Sequence, residues 1–410
     1  LFVHLKEKYD TEIFHYHREI LEMEDGGIVG LDWGSNSHCL SPETPTLLIV
    51  HGLTGHSLEP YIESIYRSVI KGGFRVVVFI FRGCGDLELR SPKLYNAGDT
   101  QDLRRAVEHI VRKFPESPLY AVGCSLGSNI LTKYVAQEGE RCRFRAFVSV
   151  CNPYNLYDIN CNPSWTKDIL SYALTRNLIE KLEVHLDTLK KVEEHYDINI
   201  QEVKKARSLP EFDEAFTIKL VGCKSHLEFY KQASCDGDIP HITIPGLFIT
   251  CLDDPICYQG ALPLEDLIAK GNLIVCLTQR GSHLGFYEGL KPRQWHGGTI
   301  LEYLLAVEHC HRMKIEVPSQ PSRLSLIFVN SLQNSFRSIS CGLFCVFLDF
   351  LFCPRCIICF TIPSEDNQSK RILTVKLDDL AILGMKTLGS IKFGIVSEEI
   401  GMTNCSELVR

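Results

Sequence analysis

The chain has 410 residues, enough for one large α/β domain and a further segment, and its 45% hydrophobic and 23% charged residues are ordinary for a globular protein. A net charge of −7 provides no basic surface of the kind that nucleic-acid-binding proteins need, so no nucleic-acid partner is expected. The 18 cysteines are scattered, and Cys151, Cys251 and Cys276 fall in predicted core strands. They are interpreted as small buried residues of a reducing compartment, which argues against a disulfide framework.

Six short apolar runs predict buried strands in the first three quarters of the chain. Helical patterns separate most of them; over residues 100–114, for example, Leu103, Val107 and Ile110 share one face. Continuous apolar strands joined by helices indicate an α/β fold with a mainly parallel sheet covered by helices on both sides. The predicted strands are residues 45–50, 74–80, 119–122, 144–150, 247–251 and 273–277.

The stretch from 154 to 240, between the fourth and fifth strands, is polar and helical instead, with helices predicted over 178–195 and 200–206. Because functional loops gather at strand ends, this insertion is predicted to cap a site. A surface helical hairpin with no role in access is the alternative.

A helix over 298–312 closes the predicted α/β domain, which spans residues 1–318. The tail, 319–410, gives no structural prediction. Its apolar part has a longest uncharged run of ten residues, about half of what a membrane span needs. The Cys-x-x-Cys spacing at 353–356 has no second Cys or His cluster nearby, so no metal site is predicted.

The pentapeptide Gly-Cys-Ser-Leu-Gly at 123–127 is the most informative stretch, because it lies between a predicted strand and a predicted helix. A strand-to-helix turn this tight strains the serine backbone and leaves no room for side chains two residues on either side. It would present Ser125 above the C-terminal edge of the sheet as a nucleophile, with Cys124 pointing into the sheet. The alternative is that Ser125 only caps the helix that starts at Leu126.

A serine nucleophile needs a base, and the base needs an acid to orient it. Asp253 and Asp254 follow the fifth strand and His283 follows the sixth, which is the Ser, Asp, His order that accompanies such a turn. Asp254 is favoured as the orienting acid because it precedes a turn at Pro255, and Asp253 is then expected to form an Asx turn; the reverse assignment stays open. His283 lies in a glycine-flanked loop, although a surface histidine is the alternative.

Stabilisation of an oxyanion is assigned to two backbone N–H groups. His-Gly-Leu-Thr-Gly at 51–55 follows the first strand, and its glycines allow close approach to the serine. The N–H groups of Leu53 and Leu126 are the predicted donors. A generic strand-to-helix turn is the alternative for this loop.

Six ordered motifs together resemble one branch of the α/β-hydrolase superfamily, the abhydrolase-domain lipid esterases and phospholipases with their bacterial and yeast esterase relatives. The resemblance covers about residues 10–315. One departure is Gly281-Ser282 before the histidine, where the family usually has two glycines. The motifs are residues 51–55, Arg-Gly-Cys at 82–84, Lys-Leu-Tyr-Asn-Ala-Gly-Asp at 93–99, residues 123–127, Asp-Asp-Pro at 253–255 and His-Leu-Gly-Phe at 283–286.

The resemblance implies an α/β-hydrolase fold and hydrolysis of acyl-ester lipids, which are phospholipids, acylglycerols or medium-chain fatty-acid esters. It implies Ser125 as nucleophile, Asp254 as orienting acid and His283 as base; this mechanism needs neither a cofactor nor a metal. Eukaryotic members typically carry an N-terminal membrane anchor, and this chain begins about where that anchor would end. Association with an endomembrane is therefore expected, with a cytoplasmic protein as the alternative.

Two other functions compete with hydrolysis. A lipid acyltransferase would be favoured by a His-x4-Asp signature, but the corresponding position after His283 is Glu288. A non-catalytic binding protein of the same fold would have lost part of the serine, acid and base set or of the oxyanion loop, and all the parts are present in this sequence.

Overall fold

The computed structural model describes most of residues 15–315 and three short strands beyond them. The tail predicted over 319–410, with its Cys-x-x-Cys spacing, otherwise lies outside the described residues. The positions not described are 1–14, 36, 38, 162–164, 258, 290–291 and, after 315, all except 326–329, 360–362 and 371–373.

The central sheet has nine strands, in the spatial order β1-β2-β4-β3-β5-β6-β7-β8-β11, and β3 to β8 run parallel wherever they pair. Two further two-stranded sheets pair β9 with β10 and β12 with β13. The strands are β1 (Tyr16–Glu22), β2 (Ile28–Gly34), β3 (Thr46–Val50), β4 (Arg75–Ile80), β5 (Leu119–Cys124), β6 (Ala146–Val150), β7 (Gly246–Cys251), β8 (Leu273–Thr278), β9 (Tyr287–Glu288), β10 (Arg293–Gln294), β11 (Leu326–Val329), β12 (Phe360–Ile362) and β13 (Arg371–Leu373).

Every residue of β3 to β8 is buried, on both faces of each strand. A parallel sheet reaches this state only when helices cover both of its sides, which is why these strands read as continuous apolar runs. The six predicted strands correspond to β3 to β8, and the predicted α/β-hydrolase fold is confirmed.

The helices around the sheet begin and end where their sequences allow it. In the first, Pro60 opens the helix, Gly72 follows its end, and the buried residues Ile62, Ile65 and Val69 recur at helical spacing. No helix among the described residues is both long enough and apolar enough to cross a bilayer. The helices are α1 (Pro60–Lys71), α2 (Gln101–Lys113), α3 (Leu126–Glu138), α4 (Leu156–Cys161), α5 (Trp165–Glu183), α6 (Leu186–Tyr196), α7 (Ile200–Val203), α8 (Leu209–Phe212), α9 (Ile218–Val221), α10 (His226–Ala233), α11 (Leu264–Ile268) and α12 (His296–Met313).

The first two strands were not predicted from the sequence. β1 pairs antiparallel with β2, and β2 pairs antiparallel with β4. β1 carries charged side chains and β2 contains two glycines and an aspartate, so neither forms a continuous apolar run. A side-chain ion pair joins the two strands, because the guanidinium of Arg18 donates to both oxygens of Asp32 at 2.6 and 2.7 Å.

Between β6 and β7 the chain forms the helices α4 to α10, which we call the helical insertion (residues 154–240). The single helix predicted over 178–195 is instead two, α5 and α6, and at the break His185 Nε2 lies 3.3 Å from the carbonyl oxygen of Gly83. The insertion has an apolar cluster of its own, separate from that of the sheet: Ile179, Leu182, Leu189, Val192, Ile198, Ile200, Val203, Ala206, Phe212 and Phe216.

Candidate active site

Ser125 occupies the apex of the turn between β5 and α3. Its backbone has φ 53° and ψ −124°, a left-handed conformation that is costly for any residue with a side chain. The residues two positions before and after Ser125 must be glycines, because a side chain there would overlap neighbouring backbone atoms. A Cβ on Gly127 would lie 2.3 Å from the carbonyl oxygen of His51, and one on Gly123 would lie 2.5 Å from the Cα of Ser128. The side chain of Ser125 makes no capping hydrogen bond to α3, so the helix-cap alternative has no support.

His283 lies in the loop that follows β8, three strands away from β5 in the sheet. Its Nε2 is 2.8 Å from Ser125 Oγ, although 158 positions separate the two residues. The loop is strained, because Ser282, Leu284 and Phe286 all have positive φ values. Ser282, with φ 52°, occupies the position where the resemblance leads one to expect glycine. The side chain of His283 is only 15% exposed, so it is not a surface histidine.

Asp254 lies on the other side of the imidazole. Its Oδ2 is 2.9 Å from His283 Nδ1, while its Oδ1 accepts hydrogen bonds from the backbone N–H groups of Ile256 at 2.8 Å and Cys257 at 2.9 Å. Burial acts to raise the pKa of Asp254, but the charge and hydrogen bond of His283 and the two backbone donors outweigh it. The pKa of this carboxyl therefore lies below its ordinary value, and Asp254 is ionised at neutral pH.

Asp253 has a different position from the one expected. The Asx-turn geometry belongs to Asp254, whereas Asp253 Oδ1 accepts hydrogen bonds from the backbone N–H groups of Gly281 at 2.7 Å and Ser282 at 2.9 Å. One carboxylate thus holds the imidazole and its neighbour holds the loop that carries it.

The three side chains form a line of hydrogen bonds with a defined direction. An ionised carboxylate only accepts, so His283 Nδ1 carries the proton that Asp254 receives, and Nε2 is left to accept from the hydroxyl of Ser125. An imidazole in this tautomer is arranged to take the serine proton as the serine attacks an electrophile.

The loop at 51–55 abuts the serine turn and is held by the hydroxyls of two partly buried tyrosines. A Cβ on Gly52 would lie 3.2 Å from the Cβ of Ser125. The backbone N–H of Gly52 donates to the hydroxyl of Tyr61, and that of Thr54 donates to the hydroxyl of Tyr95, both at 3.0 Å. The two anchored N–H groups flank Leu53 in the chain. Tyr95 belongs to the motif at 93–99, but nothing in the sequence singled out Tyr61.

Loss of one anchoring hydroxyl is expected to slow turnover without unfolding the protein. Tyr61→Phe leaves the N–H of Gly52 without its partner, and we expect kcat to fall about tenfold with little change in KM, which corresponds to about 1.4 kcal/mol. Tyr120→Phe is the matched control, since it removes a buried hydroxyl that bonds Glu308 far from this loop. Steady-state kinetics with equal kcat values in the two variants would show that the loop does not depend on Tyr61.

A cavity of about 140 Å³ separates the helical insertion from the sheet. Leu53 and Leu126, the two predicted oxyanion donors, are among its lining residues, and Leu126 follows Ser125 in the chain. Its other walls are mostly apolar, and the helical insertion supplies among them Leu156, Leu178, Leu182, Leu209, Phe212, Phe216, Leu220 and Phe229.

Comparison with known proteins agrees with this architecture. A family model of the α/β hydrolase fold matches residues 45–180. The embryogenesis-associated protein EMB8 of Picea glauca is 34% identical, covering 73% of this chain and 68% of that protein. The monoacylglycerol lipase of Saccharomyces cerevisiae is 34% identical over 63% of this chain and 59% of its own length, and the human phospholipase ABHD3 is 30% identical over 73% and 74%. The chain belongs to the α/β-hydrolase family, in its branch of carboxylic ester hydrolases.

Proposed function

We propose that this protein hydrolyses carboxylic esters of acyl lipids through an acyl-enzyme on Ser125. The observation that carries the proposal is the hydrogen-bonded line from Asp254 through His283 to Ser125, with separations of 2.9 and 2.8 Å. Three side chains from separate loops rarely meet in this order unless they work together. Residues 1–318 form the hydrolase domain in this proposal, with the helical insertion as its cap.

The reaction has two stages. In the first, Ser125 Oγ attacks the ester carbonyl while His283 Nε2 takes its proton and returns it to the leaving alcohol. The carbonyl oxygen becomes an oxyanion, which the N–H groups of Leu53 and Leu126 stabilise. In the second stage His283 takes a proton from water, which attacks the acyl-enzyme and releases the fatty acid. Asp254 stays ionised throughout and stabilises the imidazolium.

The acyl group occupies the cavity under the helical insertion. An ester carbonyl bound at Ser125, with its oxygen toward Leu53 and Leu126, directs its acyl chain into mostly apolar walls that include eight leucines and three phenylalanines. An apolar cavity stabilises a bound chain by removing its CH₂ groups from water. Relatives named monoacylglycerol lipase and phospholipase support acylglycerols and phospholipids as the substrate class.

The protein works, in this proposal, on substrate drawn from an endomembrane surface. Ile169 and Tyr172 on α5 and Val184 just after it are 61%, 50% and 77% exposed, while Leu178 and Leu182 of the same helix line the cavity. Flotation with phosphatidylcholine vesicles tests whether these exposed side chains bind a membrane surface. Ile169→Asp is expected to reduce the bound fraction, and the control Leu305→Asp on α12 is not; equal binding of both would contradict it.

A fluorophosphonate probe tests the nucleophile, because such probes react covalently with activated serine hydroxyls. We expect the wild-type protein and the control Ser68→Ala, on α1, to be labelled equally, and Ser125→Ala to remain unlabelled and to lose ester hydrolysis. Circular dichroism shows whether Ser125→Ala is folded. Labelling of a folded Ser125→Ala protein at the wild-type rate would overturn the proposal.

A further inference from the structure

Three cysteine thiols lie against the loop that carries His283. Cys251 ends β7 and its thiol donates to the carbonyl oxygen of Ser282 at 3.1 Å. Cys151 follows β6 and its Sγ accepts from the backbone N–H of Leu284 at 3.4 Å. Cys257 lies 3.8 Å from His283 Nδ1, measured at its Sγ. All three are buried free thiols, and the proposed mechanism uses none of them.

These thiols lie next to the two other kinds of ligand that zinc prefers. Cys151 Sγ, a carboxylate oxygen of Asp254 and a ring nitrogen of His283 all lie within 4.8 Å of one another, and they come from three different loops. In a tetrahedral zinc site the ligand atoms are about 3.3–3.8 Å apart, given bonds of about 2.0–2.3 Å. Shifts of about 1 Å in these three donors therefore suffice to close around a cation, and the thiol of Cys257, 3.8 Å from His283 Nδ1, offers a fourth donor.

We propose that Cys151, Cys257, Asp254 and His283 form an inhibitory site for zinc or another thiophilic divalent cation, which binds Nδ1 of the histidine. Inhibition through His283 rests on the proposed function, in which this residue is the base. Binding of the cation by the four donors does not rest on it.

Binding at Nδ1 removes the base without any oxidation or reduction. The cation displaces the protons of the two thiols, which leave to solvent, and the two thiolates, the carboxylate and the imidazole become its ligands. The proton on Nδ1 moves to Nε2, so the imidazole stays neutral. Nε2 faces Ser125 Oγ at 2.8 Å, and once protonated it has no lone pair with which to accept the serine proton.

Two features distinguish this cluster from ordinary buried cysteines. Cys151 groups with a ring nitrogen and a carboxylate, and Cys257 Sγ lies 3.8 Å from His283 Nδ1, whereas among the described residues neither relation holds for the buried Cys124 and Cys276. The imidazole is also the most exposed member of the site, with 15% of its side chain exposed, so a cation enters from the active-site side.

The test uses the full chain in thiol-free buffer, preincubated with zinc chloride and assayed on a short p-nitrophenyl ester. We expect micromolar zinc to inhibit hydrolysis and EDTA to restore it. The double variant Cys151→Ala, Cys257→Ala, compared with its own metal-free rate, is expected to need at least about tenfold more zinc for half inhibition. Cys276→Ala, in the middle of β8, is the control and keeps the wild-type sensitivity. Equal zinc sensitivity of the double variant and the wild type would overturn the proposal.

A measurement of binding separates this proposal from the proposed function. Cadmium bound to thiolate gives an ultraviolet charge-transfer band, and we expect one cadmium per chain in the wild type and in Ser125→Ala, and no band from this site in the double variant. A band in Ser125→Ala together with failed fluorophosphonate labelling of the wild type would reject the hydrolase mechanism and keep the metal site. A band of wild-type intensity in the double variant would reject the metal site.

Discussion

Replacement of His283 by alanine is expected to lower kcat for ester hydrolysis by about 10⁶-fold, because no other side chain of the described residues lies within hydrogen-bonding distance of Ser125 Oγ to take its proton. The residual rate should match that of Ser125→Ala, since residues that act as one unit lose their effect together. Single-turnover kinetics on a p-nitrophenyl ester measure both variants. A folded His283→Ala protein that retained a tenth of the wild-type rate would contradict the proposed base.

The neighbouring aspartates provide a matched comparison. Asp254→Asn replaces an acceptor with a group that also donates, so the imidazole loses the tautomer that Ser125 needs, and we expect kcat to fall about 10⁴-fold. Asp253→Asn keeps a side-chain oxygen for the N–H groups of Gly281 and Ser282, and we expect a loss of no more than about tenfold. The opposite ranking would assign the orienting role to Asp253.

Gly127→Ala is expected to destabilise the fold by about 3 kcal/mol or more and to abolish hydrolysis. The added Cβ would lie 2.3 Å from the carbonyl oxygen of His51 and 2.4 Å from that of Val50, and both obstacles are backbone atoms. Any relief must move the serine turn or the 51–55 loop, and these carry the proposed nucleophile and both proposed oxyanion donors.

Gly298→Ala is the control for that substitution. A Cβ at Gly298 in α12 meets nothing within 4 Å, so alanine is expected to stabilise the helix by about 0.5–1 kcal/mol. Urea denaturation followed by circular dichroism measures both. Free energies of unfolding for Gly127→Ala within about 1 kcal/mol of wild type would show that the turn accommodates a side chain.

The sequence predicted β3 to β8 because strands buried on both faces must be apolar throughout, and that pattern is visible without any partner. β1 and β2 left no such pattern, because charged residues interrupt β1, and two glycines and Asp32 interrupt β2. The ion pair that joins them links residues 14 positions apart, Arg18 and Asp32. Which side chains of β1 and β2 are buried depends on residues that are distant from these strands in the sequence.

The candidate site, like the sheet, was predictable where its sequence requirement is local and not where distant residues meet. The glycines around Ser125 are a local requirement of one turn, so five consecutive residues are enough to recognise the motif. The hydroxyls that hold the 51–55 loop come from Tyr61 on α1 and Tyr95 beyond β4, and no spacing rule connects them to it. The different tasks of Asp253 and Asp254 depend on which way two adjacent side chains point, and on a loop 28 positions further along the chain.

The helical insertion has its own apolar cluster and enters the chain at one point between β6 and β7. Substitutions that reshape its inner wall leave every hydrogen bond of Asp254, His283 and Ser125 untouched. If the proposed function holds, the insertion residues that line the cavity affect the preference for acyl length, while Ser125, Asp254 and His283 lie outside the insertion. Chimeras that exchange residues 154–240 between relatives should transfer selectivity as a module, and divergence of substrate within the family needs no change in the chemistry.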